Sequence, residues 1–268
     1  DLATICSGGS ASTPNMLIIS GSQGYTYTLA TNTLALIVDA DFPTNPVMCE
    51  FFAGYFLVLD RNTRSIQWSA LEDPSSWDAL DVYERSWAGD WINFIKRSGT
   101  HIWVVGEQTS EVLYATGGVE VFAPAQESLI EHGSCAHLAG QRVPDGIMCI
   151  DQDERGFGQV IVFSGLQPRP VSTYAINLQM QQRAPLLAFG IWALPIQMDG
   201  HLWYVIGNDF PSLALSLETD PWRLCPVLDV TEGGWHHWAH WNPDESRWEP
   251  FRGRSHTVFH QRHFIGDR

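Results

Sequence analysis

The feature that most constrains the fold of this chain is a β-hairpin pattern that recurs six times. Each unit has an apolar strand, a short polar turn and a second strand in which apolar and polar residues alternate, as in a hairpin. Met16–Leu29 holds both strands of the first unit. The later apolar strands are Gly54–Asp60, Thr100–Gly106, Gly146–Ile150, Gly200–Ile206 and Ser255–Phe259. Their second strands are Ser65–Leu71, Ser110–Tyr114, Gln159–Phe163, Ser212–Leu217 and Gln261–Gly266.

The spacing of the units predicts the architecture. They begin about 38 to 55 residues apart, which is the range of a four-stranded propeller blade. One hairpin cannot bury its own apolar face, whereas sheets stacked around an axis cover one another. The alternative, a β-sandwich or irregular β fold, usually has a strand every 8 to 12 residues or so, and connections such as Asn177–Leu194 are longer. We predict an all-β chain, a β-propeller of about six hairpin-based blades, as a single domain over residues 1–268.

Composition supports a strand-rich fold. The chain has 12 Trp, 13 Phe and 7 Tyr, which favour strands, beside 23 Gly and 15 Pro, which interrupt them. The best helical window, Ala79–Ile95, has Trp87, Trp91 and Ile95 at helical spacing but is interrupted by Gly89. We therefore expect little helix.

The charge balance disfavours several functional classes. Lys and Arg total 15 and Asp and Glu total 30, so the net charge is −15. Such a surface repels phosphate, which argues against a nucleic-acid reader or a polybasic membrane binder.

The longest apolar run, Leu34–Val38, is far shorter than the roughly 18 residues of a membrane span. The chain starts without Met or a visible signal peptide and stops within a strand pattern, so we expect both ends to be cut from a longer protein.

The cysteines predict no cross-linked or metal-bound scaffold. They are Cys6, Cys49, Cys135, Cys149 and Cys225. Their number is odd and no pair has C-x-x-C spacing, which disfavours a zinc ribbon or a disulfide framework. We expect five buried, reduced thiols.

The most distinctive segment surrounds Trp68 and Trp77, which flank a turn opened by Asp73 and Pro74. One interpretation is a sialidase-type Asp box, or a glycosidase-like pair of carboxylates formed by Asp73 and Asp78. The other is a structural blade corner packed by two indoles. We favour the structural interpretation because arginines, which sialidases cluster around their acidic substrate, are scattered in this chain.

Two other groups contain candidate metal ligands. His236 and His240 share one face of an aromatic strand, but they need a third ligand from elsewhere to hold a metal. Asp151, Asp153 and Glu154 lie near a turn that lacks the spacing of an EF-hand loop. We interpret the first as a half-buried strand and the second as a solvated turn.

No Gly-x-Gly-x-x-Gly, Walker A, His-Glu-x-x-His or Gly-x-Ser-x-Gly motif occurs in the sequence. We therefore expect no enzyme activity, no catalytic residues, no cofactor and no tightly bound metal. The residues singled out as a structural blade motif are Trp68, Asp73, Pro74, Trp77, Asp78, Trp103, Gly106 and Trp203.

Several phrases of the sequence resemble the packaged-DNA stabilisation proteins of short-tailed phages. They are Gly54–Asp60, Ser69–Leu80, His101–Tyr114, Gly165–Thr173, Asp199–Tyr204 and Phe259–Arg268. Their order and spacing match across nearly the whole chain, which is more specific than any one motif. The stretch Leu217–Leu228, which includes Asp220-Pro221-Trp222, is longer than the usual step between strands in that family.

The resemblance implies a tail hub, or nozzle, in the phage virion, assembled in the host cytoplasm. It implies a propeller-containing homohexameric ring beneath the portal and adaptor, contacts with adaptor and tail needle or spike proteins, and a channel that retains packaged DNA and passes it on ejection. An acidic channel wall fits weak contact with DNA, although a bore lined by Lys96, Arg97, Arg252 and Arg254 is an alternative. A carbohydrate-binding or glycoside-processing propeller, with Trp as sugar platforms, and a cellular interaction scaffold also stay open.

Overall fold

Antiparallel strands form almost all of the regular structure. The computed structural model describes residues 3–10, 13–153, 156–181, 190–208, 225–259 and 262–266. An exception is the helix α1 (Tyr174–Gln181), which lies partly in the long connection noted in the sequence. The all-β prediction is confirmed, and the window Ala79–Ile95 contains strand rather than helix. No helix in the described ranges has the length and apolarity needed to cross a membrane.

The chain divides into two compact units, residues 1–133 and 134–268. The first unit contains three four-stranded sheets whose strands pair in chain order. The first sheet comprises β1 (Thr4–Ser10), β2 (Thr13–Ser20), β3 (Gln23–Thr28) and β4 (Thr33–Leu36). The second comprises β5 (Pro46–Phe52), β6 (Tyr55–Asp60), β7 (Ser65–Ala70) and β8 (Asp73–Glu84). The third comprises β9 (Ile92–Ser98), β10 (His101–Gly106), β11 (Ser110–Ala115) and β12 (Phe122–Pro124).

The second unit contains two five-stranded sheets and one two-stranded sheet. The fourth sheet comprises β13 (Gly133–Ser134), β14 (Gln141–Val143), β15 (Gly146–Asp153), β16 (Gly156–Ser164) and β17 (Gln167–Pro170). The fifth comprises β18 (Ile191–Met198), β19 (His201–Asn208), β20 (Cys225–Asp229), β21 (Trp235–Asn242) and β22 (Arg247–Pro250). The sixth comprises β23 (Ser255–Phe259) and β24 (Arg262–Gly266).

The central strands carry the core, which explains their unbroken apolar runs. Strand β6 buries Phe56, Leu57, Val58 and Leu59 completely. Since both faces of such a strand are covered, its residues are apolar without alternation. The edge strands β4 and β24 are different, because every residue of each is exposed.

The predicted hairpins are present wherever both of their strands are described. The hairpin of β18 and β19, which was not among those predicted, shows the local chemistry of such turns. Its two turn residues, Asp199 and Gly200, have φ of 52° and 84°, and positive φ at both positions matches the twist of a two-residue hairpin. The predicted partner of β19, Ser212–Leu217, lies outside the described residues, and β19 pairs with β18 and β20. The assignment of residues 1–268 to one domain stays a prediction.

Candidate functional site

The blade corner around Trp77 is a packed, hydrogen-bonded turn. The indole Nε1 of Trp77 donates to the carbonyl oxygen of Pro74 at 2.9 Å, and its backbone N–H donates to Oδ2 of Asp39 at 3.0 Å. Phe42 meets the indole edge to face, with ring centroids 4.9 Å apart. Trp77 is only 6% exposed, so its large apolar ring contributes to the core.

Trp77 joins a buried cluster between the first two sheets. The other members are Cys6, Leu17, Ile19, Cys49, Phe56 and Val58. As predicted, the indole packs against the hairpin that begins at Tyr55, because Phe56 and Val58 belong to β6. This burial agrees with the structural interpretation of the blade corner.

The two carboxylates of the corner serve separate local turns. Oδ1 of Asp73 accepts hydrogen bonds from the backbone N–H and the hydroxyl of Ser75, at 2.9 and 2.6 Å. Oδ1 of Asp78 accepts one from the N–H of Leu80 at 2.9 Å. Both arrangements are Asx turns, which hold the backbone. Each carboxylate therefore holds its own turn, and the geometry does not support a glycosidase-like site formed by the two together.

Trp68 packs the other side of the second sheet. It is 7% exposed and meets Phe122 of β12 edge to face at 5.1 Å between centroids. Phe122 also contacts Phe52 and Tyr55, each at 5.8 Å. The ring of Phe122 therefore packs between the second and third sheets.

Trp68 also lines a cavity of about 340 Å³ whose polar lining is acidic. Asp81, Glu84 and Glu120 are among its residues, and no basic side chain is. Burial raises the pKa of Asp81, and the charge of Asp78 adds to this effect. Such a lining repels anionic ligands, including the acidic sugars that a sialidase takes.

A buried ionic network lies between β8 and the third sheet, and its members were not among the site residues expected from the sequence. Nε of Arg85 lies 3.0 Å from Oε1 of Glu111, and Nη1 lies 3.5 Å from Oδ1 of Asp90. Nη2 donates to the hydroxyl of Thr109 at 2.6 Å. The Arg85 side chain is 0% exposed, so these groups compensate a guanidinium that has no contact with water.

The network sets the pKa of its acids in opposite directions. Burial raises the pKa of Glu111, although the charge of Arg85 opposes this. Burial acts in the same direction on Asp90, but hydrogen bonds from Gln108 and Thr109 and the charge of Arg85 outweigh it, so the pKa of Asp90 is lowered. Both acids are structural partners of one cation.

Two residues of the blade motif belong to β10, beside this network. Trp103 is 5% exposed. Gly106 lies so close to the network that no side chain fits there. A Cβ at this position would lie 2.3 Å from Nη1 of Arg85 and 2.3 Å from Oδ2 of Asp90. Gly106 was the one signal of the network in the sequence, because a glycine that ends a strand often marks a close approach.

Trp203, the last motif residue, is the centre of an aromatic cluster on the fifth sheet. It stacks on His201, with ring centroids 5.4 Å apart, and contacts His236 and Trp238 at 5.6 and 5.4 Å. Trp238 in turn meets Phe251 at 5.5 Å. This face of the sheet is held by ring packing.

The histidines of the fifth sheet are engaged in local contacts. Nδ1 of His201 lies 2.7 Å from Oδ2 of Asp229, which is buried. Nδ1 of His240 lies 2.8 Å from the carbonyl oxygen of Pro250, and its Nε2 lies 3.2 Å from Oε2 of Glu249. In the part of the chain that the structure describes, no three His, Cys, Asp or Glu side chains are grouped to hold a metal ion.

The structure corrects one expectation and confirms another. Asp151 was expected in a solvated turn, but it lies within β15 and is 6% exposed, because that strand continues past it before the chain turns. The Asp153 side chain and Glu154 lie outside the described residues. All five cysteines are free and buried, as predicted.

Comparison with solved structures shows the fold. The chain aligns with the computationally designed protein Ika8 at 10% identity and a TM-score of 0.50, covering 100% of this chain and 68% of that one. It aligns with the extracellular domain of BT4673 from B. thetaiotaomicron at 10% identity and a TM-score of 0.56, covering 98% and 31%. It aligns with Sqt1 of Saccharomyces cerevisiae at 8% identity and a TM-score of 0.50, covering 89% and 62%.

These identities are too low to carry any function from the solved structures. A comparison with curated proteins finds no match. The family model described as "Bacteriophage P22 Gp10, beta-propeller" matches residues 10–268. This match covers nearly the whole chain and agrees with its meander sheets and with its resemblance to the packaged-DNA stabilisation proteins. The chain therefore belongs to the P22 Gp10 family of phage structural proteins and is a β-propeller component of a virion.

Proposed function

We propose that this chain is a subunit of the phage tail hub, or nozzle, assembled in the host cytoplasm. Six copies form a ring beneath the portal and adaptor, and the ring contacts the tail needle or spike. The ring retains packaged DNA and forms the channel through which it is ejected. The observation that carries the proposal is the family match over residues 10–268.

Charge pairing supports a channel that passes DNA without gripping it. Several basic side chains lie within ion-pair distance of carboxylates, namely Arg64, Arg85, Lys96, Arg169, Arg247 and Arg252. Two of these were candidates for a basic bore, and Lys96 lies 3.2 Å from Glu50 while Arg252 lies 3.1 Å from Glu249. A paired cation has less to gain from a phosphate, so the net charge of −15 dominates at long range.

The location in the virion is tested by immunogold electron microscopy of phage particles, with an antibody raised against this chain. The proposal predicts gold at the tail vertex of intact particles. Label on the capsid surface, or none after the particles are opened with a chelator or mild denaturant, contradicts it.

The weak contact with DNA is tested by duplex binding to the assembled protein over a series of salt concentrations. We expect an affinity weaker than the roughly 10⁻⁴ to 10⁻⁶ M of non-specific binders at physiological salt. Glu50→Gln frees Lys96 and is expected to strengthen binding at low salt more than Glu131→Gln, which removes an equal charge from an exposed position. Micromolar binding by the wild type with a steep salt slope indicates a clamp with a basic bore.

A further inference from the structure

The first sheet has an unusual composition. Residues 2–38 contain no Asp, Glu, Lys or Arg, although these make up 17% of the whole chain. This stretch includes all four strands of the first sheet, β1 to β4. A complete blade-sized sheet in a strongly acidic chain is therefore uncharged.

The last strand of this sheet has an open edge. Strand β4 pairs with β3, and no strand in the described residues pairs with its other side. The N–H of Ile37 donates to the carbonyl oxygen of Gly24 at 2.9 Å. Because every second residue of an antiparallel strand faces its partner, the peptide N–H and C=O groups of Leu34 and Leu36 point away from β3, toward the open side.

The side chains at this edge are apolar and exposed. Leu34 is 59% exposed, Leu36 is 46% exposed, and Val38 just beyond them is 86% exposed. Open strands of this kind are templates for pairing with another chain, and folded proteins usually protect them with charges, prolines or a cover.

The neighbouring sheet provides an internal comparison. Its edge strand β8 carries Asp73, Asp78, Asp81 and Glu84, which is the usual protection by charge. One chain thus protects one blade edge and leaves the other bare. Such a difference is expected when the bare edge is covered in the assembled protein.

We infer that the β4 edge docks a second copy of this chain by strand addition. The inference rests on the proposed ring and specifies one of its contacts. Two copies that each carry −15 repel wherever their carboxylates face one another, and the uncharged first sheet allows close approach without that repulsion. In a closed ring the contact is head to tail, so β4 meets a different surface of the neighbouring copy.

The test measures self-association of the whole chain by sedimentation velocity over a concentration series. Two double variants, Leu34→Glu with Leu36→Glu and Leu34→Lys with Leu36→Lys, place opposite charges at the edge. Both are expected to raise the dissociation constant at least about tenfold, because each buries unpaired charge in the contact. Val119→Glu and Val119→Lys are matched controls at a position that is 104% exposed, and they are expected to associate like the wild type.

A second variant tests the backbone directly. Leu34→Pro removes an N–H that points to the open side and leaves the hydrogen bonds to β3 in place, so the melting temperature is expected to hold while association is lost. Hydrogen exchange adds a local readout, with amides of Leu34 and Leu36 protected only at concentrations where the wild type associates.

Each alternative has its own signature. If the glutamate and proline variants associate like the wild type, the inference is wrong while the ring and the tail location stand. The wild type could instead stay monomeric, with the lysine variant binding duplex DNA more tightly than the wild type and the glutamate variant binding it less tightly. In that case the edge binds DNA and the inference is wrong. The tail location is read separately by immunogold, so its failure is distinguishable from failure at this edge.

Discussion

Nε of Arg85 lies 3.0 Å from Oε1 of Glu111, and the two side chains are 0% and 3% exposed. The pair joins the end of the second sheet to the centre of the third. A buried ion pair of this kind contributes little net stability when both partners are present, but removing one partner leaves an uncompensated charge in the core. The pair therefore makes the packing of these sheets sensitive to single substitutions.

Glu111→Gln is expected to lower the free energy of unfolding by about 3 kcal/mol, toward the lower end for a broken buried pair because Asp90 still faces Arg85. Urea denaturation followed by tryptophan fluorescence measures the change. The matched control is Glu84→Gln, since the Arg64–Glu84 pair is 41% and 61% exposed and such pairs contribute at most about 1 kcal/mol. Equal effects of the two substitutions would mean that the Arg85 network is open to water.

Gly106→Ala tests the close approach over the same network. The new methyl group would overlap Nη1 of Arg85 and Oδ2 of Asp90, each 2.3 Å away, and overpacking typically costs about 1–3 kcal/mol. Gly89→Ala is the control, because a Cβ there meets nothing within 4 Å. A melting temperature unchanged by Gly106→Ala would show that the ion pair has room to move aside.

Trp77→Ala is expected to lower the free energy of unfolding by about 3–5 kcal/mol, because it empties a buried site and removes the hydrogen bond to Pro74. Trp87→Ala removes an indole that is 75% exposed and is expected to change stability by no more than about 0.5 kcal/mol. Calorimetry on the two variants separates the blade corner from the protein surface. Equal melting temperatures would place Trp77 at the surface.

Sequence reasoning succeeded where the signal is local. The apolar run of β6 and the polar turn that follows it lie within a few residues, so the hairpin of β6 and β7 could be predicted from neighbours in the chain. The burial of Trp77 was also expected, because a large apolar indole beside an Asp-Pro turn packs readily into the core beneath that turn.

It failed where the contact joins distant residues. Arg85 and Glu111 belong to different sheets, and neither has a neighbour in the sequence that indicates the pair. Asp151 was expected in solvent because carboxylates favour turns, yet β15 carries it into the interior. The helix α1 was also missed, since its residues have no pronounced apolar face to produce a helical pattern.

Acid sensitivity of the fifth sheet is expected to depend on Glu249. The hydrogen bond from Asn242, followed by contacts with Arg252 and Arg247, lowers the pKa of Glu249 from 4.5 to about 2. A folded-state pKa below the unfolded value adds stability above about pH 4.5, and that stability is lost as the pH falls toward 2. Melting temperatures of wild type and Glu249→Gln are expected to converge over this interval as the pH falls. A constant difference between them would contradict the assignment.

The central claim is a tail hub that assembles as a ring, and negative-stain electron microscopy of the purified protein tests it most directly. Class averages are expected to show sixfold rings with an open centre. A circular dichroism spectrum of the same sample that is dominated by the β-strand signal verifies that the particles are folded. Folded particles that stay single propellers at every concentration, or rings of another symmetry, would contradict the proposed hexameric hub.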